Sequence, residues 1–318
     1  MNEEQSLKGV RIIFMGTPEF AVPSLNAILE AGAEVRGVVT QAAKPLGRGK
    51  IITDSPVKKA ALKHGLKVLE PLKVRDNKFI DELRAENPDV IVVVAYGKIL
   101  PREILELAPL GCINLHSSLL PAYRGAAPIN WAIINGDKKS GVSTMLLDAG
   151  MDTGPVLLTD SVEVGDTEKA DSLTIRLSKL GASLLVKTIR GLRSGEVLPK
   201  PQDEKLASYA PLLKKVYGLI DWSKSAGEIA NRMRGLYPWP GTYTHMEEKL
   251  LKVHEGKALE ENDQDGEPGT VLGFDNSGVR VKCGRGVFLI TELQIEGKKR
   301  MGVEDFLKGH ALEGVVFE

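Results

Sequence analysis

A chain of 318 residues, 42% hydrophobic and 26% charged, has the composition of an ordinary globular protein and is long enough for two domains. Its 42 Lys and Arg balance 42 Asp and Glu, which excludes a protein that holds polyanions by bulk positive charge, so any nucleic-acid partner has to be met by local patches. Cys112 and Cys283 are too few for a disulfide framework or a cysteine zinc cluster, and an acidic start (MNEEQ) without any apolar run of bilayer length gives no membrane segment; the expected compartment is the cytoplasm.

The first half alternates short β-branched runs with helix-like stretches, the mark of βαβ units around a mostly parallel sheet. Residues 10–15 (VRIIFM) are predicted as a buried strand, 20–30 as a helix and 34–39 as a second strand. Between the first two, Gly16-Thr17-Pro18 turns in the Rossmann manner, but Pro18 stands where a dinucleotide fingerprint needs its second glycine. A nicotinamide dinucleotide is therefore not expected. Residues 36–59 carry six basic side chains against one acidic, net +5, and their centre, KPLGRGK at 44–50, is too rich in glycine and proline for a helix. Ser55-Pro56 is an N-cap followed by proline at the first helical position, and Gly65 fits the stop.

A helix over 78–85 leads to the plainest strand of the chain, DVIVVVA at 89–95, whose unbroken apolar run implies cover on both faces. A short strand at 112–115, a helix at 128–135 and strands at 142–147 and 156–164 around a sharp turn follow, before a long helix at 168–192. Residues 193–217, punctuated by proline, lysine and glycine, read as an interdomain linker laid over the surface, with the boundary near 206. Beyond it come a helix at 226–236 and six short strands, 243–244, 250–253, 269–272, 278–282, 287–293 and 314–317. The expected architecture is a Rossmann-like α/β domain over 1–206 and a small β-barrel of OB type over 207–318. Trp222, Tyr237 and Trp239 beside turn residues read as packing rather than as stacking platforms.

Chemistry is best sought at Asn114-Leu115-His116, at the end of a predicted strand. Alternation puts Asn114 and His116 on one face, and open α/β sheets bind ligands beyond the carboxyl ends of their strands. An amide beside an imidazole can donate hydrogen bonds to an oxyanion growing on a carbonyl. A second polar loop, DAGMDTGP at 148–155, brings Asp152, which can orient the imidazole or relay a proton. The same residues also suit a plainer reading, with Asn114 and His116 capping a loop and Asp152 forming an Asx turn. No metal is expected, because the five histidines show no i, i+4 ligand pair.

The stretch GCINLHSSLLPAYRG at 111–125, continued by AAPINWAIINGD and GVSTMLLDAGMDTGPVL, resembles the core of the folate-dependent formyltransferases. RIIFMGTPEFA at 11–21, TQAAKPLGRGK at 40–50, VVVAYGKILP at 92–101 and GLIDWSKSAGEIANRMRGLYPWPGTYT at 218–244 extend the resemblance over the whole chain. One departure is Ala42-Ala43, where the family usually has a proline and an acidic residue. The resemblance implies a formyl group carried by 10-formyltetrahydrofolate, with Asn114, His116 and Asp152 as the catalytic residues and Ser118, Leu119, Leu120 and Pro121 lying against the folate. It is closest to the branch whose acceptor is initiator methionyl-tRNA, and a monomer is expected.

That acceptor turns two basic segments from solvated surface into expected contacts: Arg48 and Lys50 on the glycine loop, and Lys298, Lys299 and Arg300 in the second domain. The last three belong to a basic cluster with Arg280, Lys282 and Arg285, in a domain that as a whole carries 15 basic against 17 acidic residues. A formyltransferase for a small amine, such as glycinamide ribonucleotide or an amino sugar nucleotide, would need neither segment. A noncatalytic RNA-binding protein would not need Asn114, His116 and Asp152 intact.

Overall fold

The computed structural model describes residues 6–46, 51–259 and 266–318. Two compact units emerge: Met1–Pro128, Lys139–Glu163 and Thr174–Ala210 make the first, and Ile129–Lys138, Val164–Leu173 and Pro211–Glu318 make the second. The chain thus visits the second unit twice before entering it for good at Pro211.

In chain order the first half runs β1 (Arg11–Gly16), α1 (Val22–Glu30), β2 (Glu34–Val39), β3 (Lys44–Leu46), β4 (Ile51–Thr53), α2 (Pro56–Lys63), β5 (Val68–Leu69), α3 (Asn77–Ala85) and β6 (Val90–Val94). It continues with α4 (Arg102–Leu105), β7 (Cys112–His116), β8 (Arg124–Gly125), α5 (Pro128–Ile134), β9 (Lys139–Leu146), β10 (Val156–Glu163), α6 (Ala170–Ser194) and β11 (Tyr209–Ala210). A seven-stranded sheet in the order β10-β9-β7-β6-β1-β2-β5 is the frame of the first unit. Its strands from β5 to β7 are parallel, while β9 and β10 run antiparallel at the edge. The apolar runs of β1 and β6 are buried along their length because both lie in the middle of this sheet. The chain moves outward from β1 through β2 to β5 and then returns to β6, so the direction of winding switches between β1 and β6.

Local chemistry starts and stops α2 as expected. Ser55 caps α2, its hydroxyl accepting from the Lys58 amide with Pro56 behind it, and Gly65 leaves the helix with φ +67°. The segment expected as a loop, 44–50, opens as a strand: β3 is its first three residues and pairs antiparallel with β4 beyond it. A parallel pairing of β8 with β11 lays the segment after α6 along the chain that follows β7.

The second unit contains α7 (Ala226–Gly235), β12 (Thr242–Met246), β13 (Lys249–Leu259), β14 (Val271–Asp275), β15 (Gly278–Lys282), β16 (Val287–Ile295), β17 (Met301–Gly302) and α8 (Val303–Leu307). Its sheet is antiparallel, in the order β12-β13-β16-β15-β14 with β17 on β16. The end of the chain joins the two edges. His245 and Glu318 exchange backbone hydrogen bonds of 2.9 and 3.1 Å on the β12 side, while the Val271 amide donates to the Val315 carbonyl at 3.0 Å on the β14 side. The sheet therefore closes on itself and leaves neither edge bare.

Trp222, Phe288, Ile290 and Phe317 are among the buried side chains of its core, and the Trp222 Nε1–H donates to Thr244 Oγ1 at 2.9 Å. A capping box, Ser225 with Glu228, starts α7. Trp239 departs from the sequence expectation: it is 52% exposed, because it sits in the turn between Pro238 and Pro240 and not on the apolar face of α7. Among the described residues no helix is long and apolar enough to cross a membrane.

Candidate functional site

Strand β7 delivers Asn114 and His116 to one side of the sheet, as a two-residue period requires. His116 is buried, 6% exposed, and its Nε2 lies 2.9 Å from the Tyr123 carbonyl oxygen. A carbonyl only accepts, so Nε2 carries the hydrogen. In the neutral ring Nδ1 is then the lone pair, and it faces Asp152 Oδ2 at 3.6 Å. That oxygen also accepts from the Gly125 amide at 2.8 Å. Among the described residues no protein group hydrogen-bonds the side-chain amide of Asn114, whose backbone lies in the sheet between β6 and β9.

Both groups that bracket the imidazole sit on left-handed backbone: Tyr123 has φ +59° and Asp152 φ +55°. Such conformations cost energy outside glycine and persist where surrounding contacts enforce them. The enforcing contacts come from the segment after α6. The Tyr123 amide donates to Ser208 Oγ at 2.9 Å, and Gln202 Nε2 donates to the carbonyls of Asp152 and Gly154 at 2.8 and 2.7 Å. Gly154 closes the same loop tightly, since a Cβ there would stand 1.8 Å from the Leu146 carbonyl oxygen.

Residues 118–121 connect β7 to Tyr123 and spend their polar groups on their own turn. Ser118 Oγ donates to the Ala122 carbonyl at 2.6 Å. Ser143 Oγ accepts from the Leu120 amide at 3.0 Å and donates to the Ser118 carbonyl at 2.7 Å. Ser118 and Leu120 are buried, Leu119 and Pro121 half-buried.

Arg124 is the polar residue that sequence reasoning missed here. Its fully buried guanidinium donates to Gln202 Oε1 at 3.1 and 2.9 Å and, from both terminal nitrogens, to the Glu204 carboxylate at 2.9 and 2.8 Å. The bidentate pair pushes Arg124 up and holds the Glu204 carboxyl below its ordinary range. The only sequence signal was an arginine beside a glycine in YRG.

The expected acceptor contacts fare unevenly. Arg48 and Lys50 lie outside the described residues. Near them in sequence, Arg36 pairs with Glu34, and Lys58 pairs with Asp54 and Glu70 at 2.9 and 2.8 Å, so the +5 of that segment is partly spent locally. In the second unit Lys298 and Lys299 are exposed in the turn after β16. Arg300 instead forks onto Glu292, with both bonds at 2.5 Å, and reaches Glu255 at 3.4 Å; Lys282 is 7% exposed. The cluster 280–300 is therefore not one continuous positive face.

A different face of that unit was missed. Register pairs Tyr243 with Lys252 and Lys252 with Gln294, so the three stand in one row across β12, β13 and β16. His245 meets the Tyr243 ring edge-on at 5.9 Å, and His254 Nε2 lies 3.0 Å from Gln294 Oε1. The alternation in TYTHM and LKVH was the available signal. Rings, amide and lysine on one sheet face are the groups that stack on bases and contact phosphates. Among the described residues no cluster of His, Cys, Asp and Glu could hold a metal ion.

Residues 10–189 match the family model described as formyl transferase, and residues 212–311 the one described as formyl transferase, C-terminal domain. The chain is 50% identical over 307 residues to a methionyl-tRNA formyltransferase of Citrifermentans bemidjiense, covering 96% of each chain. It is likewise 50% identical over 305 residues to one of Clostridium novyi, covering 96% of this chain and 98% of that one. Among solved structures, an N-formyltransferase from Helicobacter canadensis in complex with folinic acid and dTDP-3-aminofucose shares the fold with TM-score 0.65 at 18% identity, over 88% of this chain and 98% of that one.

Proposed function

The chain belongs to the formyl transferase family, and from that premise we propose that it moves a formyl group from 10-formyltetrahydrofolate to the α-amine of methionine on initiator methionyl-tRNA, giving N-formylmethionyl-tRNA and tetrahydrofolate. The observation that carries the chemistry is His116, with Nε2 pinned to the Tyr123 carbonyl and Nδ1 facing Asp152. The near-full-length identity to enzymes named for methionyl-tRNA favours that acceptor over a small amine.

The folate co-substrate supplies the formyl carbon on a nitrogen that must leave with a proton. The acceptor attacks as the neutral amine, its ammonium proton having passed to solvent. A C–N bond forms, the attacking nitrogen becomes cationic and must shed a second proton, and negative charge grows on the formyl oxygen. Asn114, whose amide is not committed to any described protein group, donates to that oxygen. With Nε2–H held by Tyr123, Nδ1 is the nitrogen of His116 that takes and returns a proton, and Asp152 stabilises the imidazolium while it exists. Return of that proton to the leaving nitrogen completes the exchange, and the old C–N bond breaks.

Leu119 and Pro121, half-buried between Ser118 and Tyr123, give the folate an apolar edge on a turn stiffened by the Ser118 and Ser143 hydroxyls. We assign the acceptor to Arg48 and Lys50 between β3 and β4, to Lys298 and Lys299, and to the Tyr243–Lys252–Gln294 row, with Arg300 contributing through Glu292 and Glu255 more than through phosphate. Catalysis belongs to 1–206 in this reading, and acceptor binding to 207–318 together with Arg48 and Lys50 of the first domain. A monomer is sufficient for this reading, because Asn114, His116 and Asp152 all lie in the first unit of one chain. A cytoplasmic setting suits two buried, unpaired cysteines.

Labelled formyl followed from 10-formyltetrahydrofolate into methionyl-tRNA, beside free methionine and an amino sugar nucleotide, tests the proposal. Label in the charged initiator tRNA alone is expected. Label in the small amine with none in the tRNA overturns it.

A further inference from the structure

One polar assembly in the first unit, built around the buried Arg124, has no part in the proton and oxyanion chemistry above. Gln202 uses every hydrogen-bonding atom of its amide: Nε2 donates to the carbonyls of Asp152 and Gly154, and Oε1 accepts twice from Arg124. Arg124 is in turn held by Glu204, and its own amide donates to the Ser208 carbonyl at 2.8 Å. The segment 202–210 thereby touches both left-handed residues that bracket His116, Tyr123 through Ser208 and Asp152 through Gln202. The left-handed turn keeps its side chain in one direction only if its backbone is tied down, and Gln202 fixes the carbonyl of Asp152 itself and that of Gly154 two residues on.

The geometry points to Gln202 as a positioning residue that holds the Asp152 loop in its left-handed turn, and so keeps the Asp152 carboxylate on His116 Nδ1 and on the Gly125 amide. This rests on the reading that His116 and Asp152 act in formyl transfer. Glutamine suits the task because a neutral amide offers two donors and an acceptor together. A glutamate at 202 would keep, and strengthen, the pairing with Arg124, but would turn an oxygen toward two carbonyl oxygens. Gln202→Glu therefore separates a role in anchoring Arg124 from a role in orienting Asp152.

Two readouts follow in the full-length protein. The first is kcat and KM for formyl transfer; the second is hydrogen exchange at the Gly125 amide, whose acceptor is Asp152 Oδ2. Gln202→Glu is expected to lower kcat on the order of 100-fold, as small misplacements of a reacting group do, with the KM for methionyl-tRNA within about twofold. Gly125 exchange should accelerate by about tenfold or more as its bond to the carboxylate loosens. In an Asp152→Asn background the further loss of kcat should stay under about threefold, because the two changes remove one interaction.

A Gln202→Glu protein with kcat within about twofold of wild type and unchanged Gly125 exchange overturns the assignment. Gln202→Met, of similar length but without hydrogen bonds, guards against misfolding. If both variants lose the folded first unit in thermal melts, the role is structural and the assignment fails. Should the wild-type protein transfer no formyl group, the functional reading falls, while Gly125 exchange in the two variants still decides whether Gln202 orients Asp152.

Discussion

His116 in the first unit and Arg300 in the second are both basic side chains set against carboxylates, and they differ in what is left over. Arg300 is neutralised: Nε and one terminal nitrogen fork onto Glu292, and a longer contact reaches Glu255, so its charge is met by two carboxylates in a half-exposed setting. His116 is buried, tied at one nitrogen, and 3.6 Å from the nearest carboxylate at the other, beyond hydrogen-bond length. A neutralised charge stabilises; a buried group with one uncommitted valence can do chemistry. The same contrast separates Asn114, free of described partners, from Gln202, with none of its amide atoms free.

The largest effect should come from filling or removing that uncommitted valence. His116→Ala and Asp152→Asn are each expected to lower kcat by roughly 100- to 10,000-fold, the range for general acid–base groups, with tRNA affinity nearly unchanged in a filter-binding titration. Activity within a few fold of wild type in either variant would remove the distinction between the two regions. Next comes Gly154→Ala, whose methyl would collide with the Leu146 carbonyl. Relief requires the Asp152 loop to move, so a loss of about 1–3 kcal/mol in denaturant unfolding should accompany a lower kcat.

How much of this contrast could be read in the sequence depends on range. DVIVVVA betrays β6 because burial on both faces leaves no polar position, and Ser55-Pro56 betrays the start of α2 because capping is local. NLH placed Asn114 and His116 together through strand period alone. The two-residue strands β8 and β11 have no period to detect, and Gln202 reaches Asp152 across 50 positions of chain. Nothing local marks either. Closure of the second sheet by Val315 and Glu318 was foreseen only as one more strand, since edge pairing is a tertiary fact. Counting charges misled most, because Glu34, Glu70 and Glu255 lie outside the basic windows whose charge they neutralise.

Trading charge counts for the outward row of the second sheet yields a smaller effect. Tyr243→Ala and Lys252→Ala are each expected to raise the KM for methionyl-tRNA by about 5- to 10-fold without changing kcat, in line with loss of a stacking or phosphate contact. Lys252→Ala should also flatten the salt dependence of that KM. Equal kinetics at low and high salt in both variants would take the row out of acceptor binding.

The smallest effect belongs to Arg300, and its sign with pH is the informative part. Hydrogen bonds from Arg300 hold the Glu292 carboxyl below its ordinary range, against the opposing pull of burial. A carboxyl depressed in the folded state contributes stability above its unfolded value and loses it as pH falls through the folded one. Arg300→Ala should therefore cost under about 1 kcal/mol at neutral pH, as half-exposed ion pairs do, and the difference from wild type should shrink toward zero in acid. Chemical unfolding of both proteins from neutral pH down through the carboxylate range measures it. Its KM for methionyl-tRNA should move less than that of Lys252→Ala, because a guanidinium already shared by two carboxylates has little left for phosphate. A larger KM effect for Arg300 than for Lys252, with no acid-dependent change in stability, would reverse the division between neutralised and uncommitted charge.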